Sequence, residues 1–193
     1  MGGTYEGAYN ETMPIAKHYI NSAFCRDSAD YTELKKDYFG NDREWKYAYN
    51  CNVQKTGETA KFVTYEYSCY EYQGGAHGST FITGQTFRKS DGRRIGWEVL
   101  NNTYDDDFQN IIKTGLRKYF NVNNDDELKS CLMLDNMYII PLPKCPPLFT
   151  RDGIKLVYGQ YEIAPYAAGT PQLTIPYSQL NKFLNVTAKS LTK

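Results

Sequence analysis

The chain has 193 residues, enough for one large domain or two small ones with a substantial buried core. Its 22 lysines and arginines balance 22 acids, which argues against nucleic acid as a partner because phosphate binding requires a concentrated positive field. No stretch approaches the ~20 apolar residues of a membrane span, and Met1-Gly2-Gly3-Thr4 lacks the basic and apolar regions of a secretory leader.

Residues 13–24 read as an amphipathic helix, with Ile15, Tyr19, Ile20 and Phe24 recurring on one face. A second helix is expected from Tyr31 to Phe39, ending at Gly40 as a C-cap. The pattern then changes to period two. Trp45, Tyr47, Tyr49, Cys51 and Val53 make one row, and Val63, Tyr65, Tyr67 and Cys69 the matching row of a hairpin partner. With the turn centred on Gly57, Cys51 and Cys69 lie roughly 13 Å apart along the strands. That exceeds the ~7 Å disulfide limit, so the pair is expected to remain unbonded as small core residues. Five scattered cysteines with no CxxC spacing allow at most two disulfides and fit either redox compartment.

Phe81–Phe87 reads as a third strand, and Lys89-Ser90-Asp91-Gly92 as a turn into a strand over 94–99. Thr103 and Asp106 resemble a capping box opening the clearest helix, whose face carries Phe108, Ile112, Leu116 and Phe120. Asn124 and Glu127 repeat that signal for a short helix to about Leu132. A strand at Tyr138–Leu142 precedes a proline-rich link. A hairpin around Asp152-Gly153, a strand at Gln172–Ile175 and a short helix through Phe183 complete the chain. Helices and hairpins are grouped rather than alternating, which predicts an α+β fold: antiparallel sheet with amphipathic helices packed on one face. Residues 1–193 are expected to form a single domain, with at most a weak subdivision near 100–147.

Two loops break the strand pattern. Gly74-Gly75-Ala76-His77-Gly78 surrounds one of two histidines with glycines, and Tyr161–Gly169 is largely apolar with a single carboxylate. His77 is the candidate general base and Glu162 the candidate acid of an envelope glycan-processing enzyme. Structural roles are favoured for both: His77 hydrogen-bonded to backbone in a tight connection, and Glu162 pinning its loop by accepting backbone N–H bonds. A glycosidase would also need a second carboxylate at a defined separation, and none is nominated. The Asp105-Asp106-Asp107 run falls in a helix first turn, and two distant histidines with scattered cysteines make no zinc framework. No Walker motif, GxGxxG or GxSxG occurs. Neither metal nor cofactor is expected, and catalysis has little support. Eighteen tyrosines suit strand surfaces, protein interfaces and sugar stacking alike, strand lining being favoured.

Tyr72-Gln73-Gly74-Gly75-Ala76-His77-Gly78, the Asp91-Gly92 turn, and the run from Tyr161 through Gly169 to Ile175-Pro176-Tyr177-Ser178-Gln179-Leu180 resemble a bacterial extracytoplasmic domain family of unknown function. That family includes the lysozyme-sensing part of the anti-sigma-V factor and the N-terminal part of a peptidoglycan deacetylase. The resemblance spans about residues 11–183. It implies strand sequence before the first helix; only about a dozen residues precede it here, so an N-terminal truncation is expected. With no anti-sigma segment, membrane span or deacetylase domain, the chain is expected to be neither a complete sensor nor a deacetylase. The resemblance further implies a periplasmic or cell-surface location and a non-enzymatic role, with a lysozyme-like protein or peptidoglycan glycan as ligand. Gly75, His77, Gly78, Tyr161, Glu162 and Tyr166 then form or brace the binding surface. A structural protein-interaction module is the remaining alternative.

Overall fold

The computed structural model describes residues 48–192 without interruption, together with residues 6–7, 14, 17–18, 28–29 and 32–33. The helices expected at 13–24 and 31–39 and the start of the strand expected from Trp45 fall for the most part outside these described residues. The chain forms two compact units, residues 1–48 with 72–78, and residues 49–71 with 79–193. Among the described residues, the hydrophobic core lies in the second unit.

The fold is α+β with antiparallel sheets. Strands β1 (Ala48–Glu58), β2 (Phe62–Tyr72), β3 (Ser79–Arg88) and β4 (Arg94–Ile95) form one sheet in that order. Strands β5 (Leu148–Phe149), β6 (Gly153–Val157) and β7 (Gln172–Pro176) form a second. Four helices, α1 (Asp106–Phe120), α2 (Asp125–Cys131), α3 (Tyr177–Leu180) and α4 (Val186–Thr192), complete the described elements with two 3-10 turns.

Helix α1 follows from local chemistry. Asp105 caps it by accepting the Asp107 N–H at 3.0 Å, two residues past the expected Thr103 cap. Asp106 and Asp107 complement the positive end of the helix, and Arg117 and Lys118 the negative end. Phe108, Ile112 and Leu116 are fully buried along one face. Gly115 lies on β7 so closely that a Cβ would overlap the Leu173 side chain. Helix α2 opens with the expected reciprocal cap: Asn124 accepts the Glu127 N–H at 2.9 Å, while Glu127 accepts the Asn123 N–H at 2.8 Å.

The two sheets meet through a closed circuit of hydrogen bonds. Thr64 and Thr86 face each other across β2 and β3, and both are fully buried. The Phe149 N–H donates to the Thr86 hydroxyl at 3.0 Å, the hydroxyls of Thr86 and Thr64 are 2.9 Å apart, and Thr64 donates to the Phe149 carbonyl at 2.6 Å. Because Thr64 spends its one proton on Phe149, the bridging proton comes from Thr86, whose hydroxyl lies farther, 3.3 Å, from the Pro147 carbonyl. Both backbone groups of one β5 residue are thus satisfied by side chains of the other sheet. Gly84 and Gly57 allow the approach: a Cβ at either would collide with the Leu148 side chain or the Phe149 carbonyl oxygen respectively.

That role of Gly57 corrects the expected hairpin. Strand β1 runs past Gly57 to Glu58, and the turn centres on Ala60, closed by the Thr59 N–H donating to the Phe62 carbonyl at 3.0 Å. The shift brings Cys51 opposite Cys69, with Cα atoms 4.1 Å apart, and the two form a disulfide. The expectation that they stay unbonded is therefore wrong, because a glycine required for close packing was read as a turn glycine. Among the other described cysteines, Cys145 is buried and burial pushes its thiol pKa up, while Cys131 is half-buried; both are free.

Two further strand expectations fail. Only Arg94–Ile95 is strand in the 94–99 segment, and Trp97–Val99 turns as a 3-10 helix. Residues 138–142 form no strand. Side chains take the place of a ladder there: Gln109 accepts the Ile140 N–H at 2.7 Å, and Tyr158 donates to the Pro141 carbonyl at 2.9 Å. Just beyond, the Trp97 indole donates to the Pro143 carbonyl at 3.0 Å. Helix α4 had no reading in the sequence. It is capped by Asn185, which accepts the Ala188 N–H at 2.9 Å, and buries Ala188 and Leu191.

Thr64→Val and Thr86→Val preserve shape but strand a buried partner. Each should lower the unfolding free energy by about 1–3 kcal/mol in urea titration, and the double variant should cost less than the sum. Losses below about 0.5 kcal/mol would show that the circuit does not hold the sheets. Replacing both Cys51 and Cys69 by Ser should cost about 2–4 kcal/mol, and non-reducing peptide mapping of the native protein should recover the linked pair.

Candidate functional site

The Gly159–Gly169 loop joins β6 to β7. Its entry is fixed by Tyr158, fully buried, whose N–H donates to the Pro171 carbonyl at 2.8 Å. Burial, reinforced by the nearby Glu162 charge, holds the Tyr158 phenol well above its ordinary pKa, so it serves as a permanent donor.

Glu162 organises the turn that follows. One carboxylate oxygen accepts the Lys144 N–H at 2.6 Å and the other accepts the Gly159 N–H at 2.7 Å. Its own N–H donates to the Gly159 carbonyl at 3.2 Å. This is the loop-pinning role favoured from the sequence, and it commits both oxygens to backbone. Ile163 and Ala164 point inward and are buried, and the Ile163 carbonyl accepts the Met133 N–H at 2.8 Å. The far end is tied by the Tyr119 hydroxyl donating to the Ala168 carbonyl at 2.7 Å. Gly169, at φ +69°, closes the 3-10 turn Tyr166–Ala168.

The apolar character of this loop now has an explanation. Ile163 and Ala164 belong to the core, whereas Tyr161 is displayed: it is 56% exposed, and its ring lies 5.9 Å from that of Tyr166 at an interplanar angle of 37°. Tyr161 also has φ +61°. An L-residue there carries a cost of about 1–2 kcal/mol, sustained by the anchors on either side. Before it, Gln160 is half-buried, with its side-chain oxygen accepting the Thr80 N–H at 2.7 Å and the Ser79 hydroxyl at 3.5 Å.

The glycine-rich loop belongs to the first unit. Gly74 and Gly75 have φ +94° and +93°, and the Tyr72 hydroxyl donates to the Gly75 carbonyl at 2.9 Å. His77 is exposed, and its Nδ1 lies 3.1 Å from the carbonyl of the buried Gly78, in position to donate to it. The structure thus brings Tyr161, Glu162 and Tyr166 together in one loop of the second unit, while Gly75, His77 and Gly78 form a separate loop of the first. Gln160, Tyr119, Met133 and Lys144 leave no spacing signal in the sequence: the first two bind distant backbone groups with their side chains, and the last two offer only their own N–H. Among the described residues, no three His, Cys, Asp or Glu side chains cluster to hold a metal ion. No described helix is long and apolar enough to cross a membrane.

Residues 98–178, which contain this loop and most of the core, match the model of a family described as "Protein of unknown function (DUF3298)". No curated protein matches the chain. The fold is similar to the crystal structure of a DUF3298 family member from Bacteroides fragilis, at TM-score 0.67 and 20% identity, covering 92% of this chain and 70% of the other. It is also similar to a DUF3298 family protein from Pseudomonas aeruginosa, at TM-score 0.59 and 19% identity, covering 83% of this chain and 70% of that one. The architecture is therefore that of solved DUF3298 proteins.

Glu162→Ala should release both amides that its carboxylate holds. Hydrogen exchange at Gly159 and Lys144 should accelerate by about tenfold or more, with the β2 amides unchanged. Unaltered exchange at those two amides would mean that the carboxylate does not anchor the loop.

Proposed function

We propose that this chain is a non-enzymatic, extracytoplasmic binding domain of the bacterial cell envelope, whose ligand is a lysozyme-like protein or cell-wall glycan. The observation carrying this reading is the use made of Glu162. The carboxylate best placed for catalysis is spent on two backbone N–H groups, and what it holds in place is a loop displaying Tyr161 against the half-buried Tyr166. A loop fixed in advance loses little entropy when a ligand arrives, and tyrosine supplies contact area at low ordering cost.

Three further points support the reading. The Cys51–Cys69 disulfide suits an oxidising compartment. The match over residues 98–178 and the shared fold of two bacterial DUF3298 proteins support membership of that family. The resemblance to the lysozyme-sensing and deacetylase-associated domains supplies the two candidate ligands. The rival acid–base pair of Glu162 and His77 is disfavoured by the backbone bond available to each side chain.

Calorimetric titration with a c-type lysozyme, and in parallel with soluble peptidoglycan fragments, should give saturable binding to one of them. In a folded Tyr161→Ala/Tyr166→Ala variant the affinity should fall by about tenfold or more. No saturable heat with either ligand, or full affinity in the variant, would overturn the assignment.

A further inference from the structure

Gln160 directly precedes Tyr161 in the loop, and the orientation of its side chain is settled by its partners. The Thr80 N–H can only donate, so the atom it reaches at 2.7 Å is the amide oxygen. The amide nitrogen then faces the other way, and its two N–H donors take no part in holding the loop. Glu162, the one charged residue between Gly159 and Gly169, has both oxygens occupied by backbone amides. The loop therefore offers the exposed ring of Tyr161, the half-buried ring of Tyr166 and amide donors not used in holding the loop, while its one carboxylate is already engaged by two backbone amides.

We infer that the Gln160–Tyr161–Tyr166 surface takes a neutral, polyhydroxylated ligand, namely a sugar of an uncharged glycan, with the tyrosine rings against its C–H face and the Gln160 amide donating to a hydroxyl or acetamido oxygen. This rests on the proposed reading of the loop as the recognition element and narrows its ligand. A charged protein surface would be selected by complementary charge, and the one carboxylate of this loop is turned to backbone amides instead. An aromatic platform beside a fixed amide matches a sugar ring, apolar on one face and rimmed by hydrogen-bonding groups. The Thr80 bond is what makes the donor useful, because it fixes the amide plane before binding.

The test uses the whole chain and the N-acetylglucosamine tetramer, a neutral glycan, with a c-type lysozyme as the protein probe. The wild type should bind the tetramer saturably. Gln160→Glu keeps the oxygen that accepts from Thr80 and removes both donors, so tetramer affinity should fall by about tenfold or more with an unchanged melting temperature. Tyr161→Phe should retain binding and Tyr161→Ala should lose it, which tests the surface independently of Gln160. Equal affinity in Gln160→Glu would overturn the role of the amide. Binding to lysozyme without binding to the tetramer would overturn the glycan class and leave the recognition loop standing. Binding to neither would overturn both.

Discussion

The second unit depends on how β5 is held. A strand of two residues cannot secure itself by ladder bonds alone, yet β5 carries Phe149, which is fully buried and packs edge-on against Phe62 at 5.7 Å. The circuit through Thr64, Thr86 and both backbone groups of Phe149 resolves this by letting one sheet hydrogen-bond into the face of the other. In that buried setting each member polarises the next, and an unpaired member would be costly. Once β5 is fixed, β6 and β7 follow by antiparallel pairing, α1 lies on β7 through Gly115, and the β6–β7 connection is the loop that displays Tyr161.

The same device recurs on a smaller scale. Where the chain leaves regular structure, side chains rather than strands satisfy the backbone: Gln109 for Ile140, Tyr158 for Pro141, Trp97 for Pro143 and Glu162 for Lys144. Residues 140–144 are consequently fixed without being a strand, and they provide the wall on which the Gly159–Gly169 loop is hung. Rigidity of this kind suits recognition. Catalysis by Glu162 would require a carboxylate released from the amides that hold its loop together.

How much of this was legible depended on whether a signal was local. The strands β2 and β3, the buried face of α1 and the Asn124–Glu127 cap could be read directly, since alternation, helical spacing and capping chemistry are properties of neighbouring residues. Gly57 was misread because a glycine in a turn and a glycine under an approaching carbonyl look the same in one dimension, and that single displacement hid the Cys51–Cys69 disulfide. Tyr138–Leu142 has the composition of a strand but pairs with no strand among the described residues. Thr64 and Thr86 read as ordinary strand residues, because their importance lies in β5, far along the chain. At the site, the bracing role of Glu162 and the backbone bond of His77 were anticipated. The fixed amide of Gln160 was not, since it depends on the distant Thr80 N–H.

The Gly159–Gly169 loop is a rigid display held by its anchors, and backbone 15N relaxation of the free protein is the measurement to make. Order parameters should be about 0.85 at the amides of Gln160–Ala168 other than Pro165, equal to those of β6 and β7. Values below about 0.6 at Tyr161 and Tyr166 would contradict it, because a loop that moves freely on the fast timescale is not preorganised for any ligand.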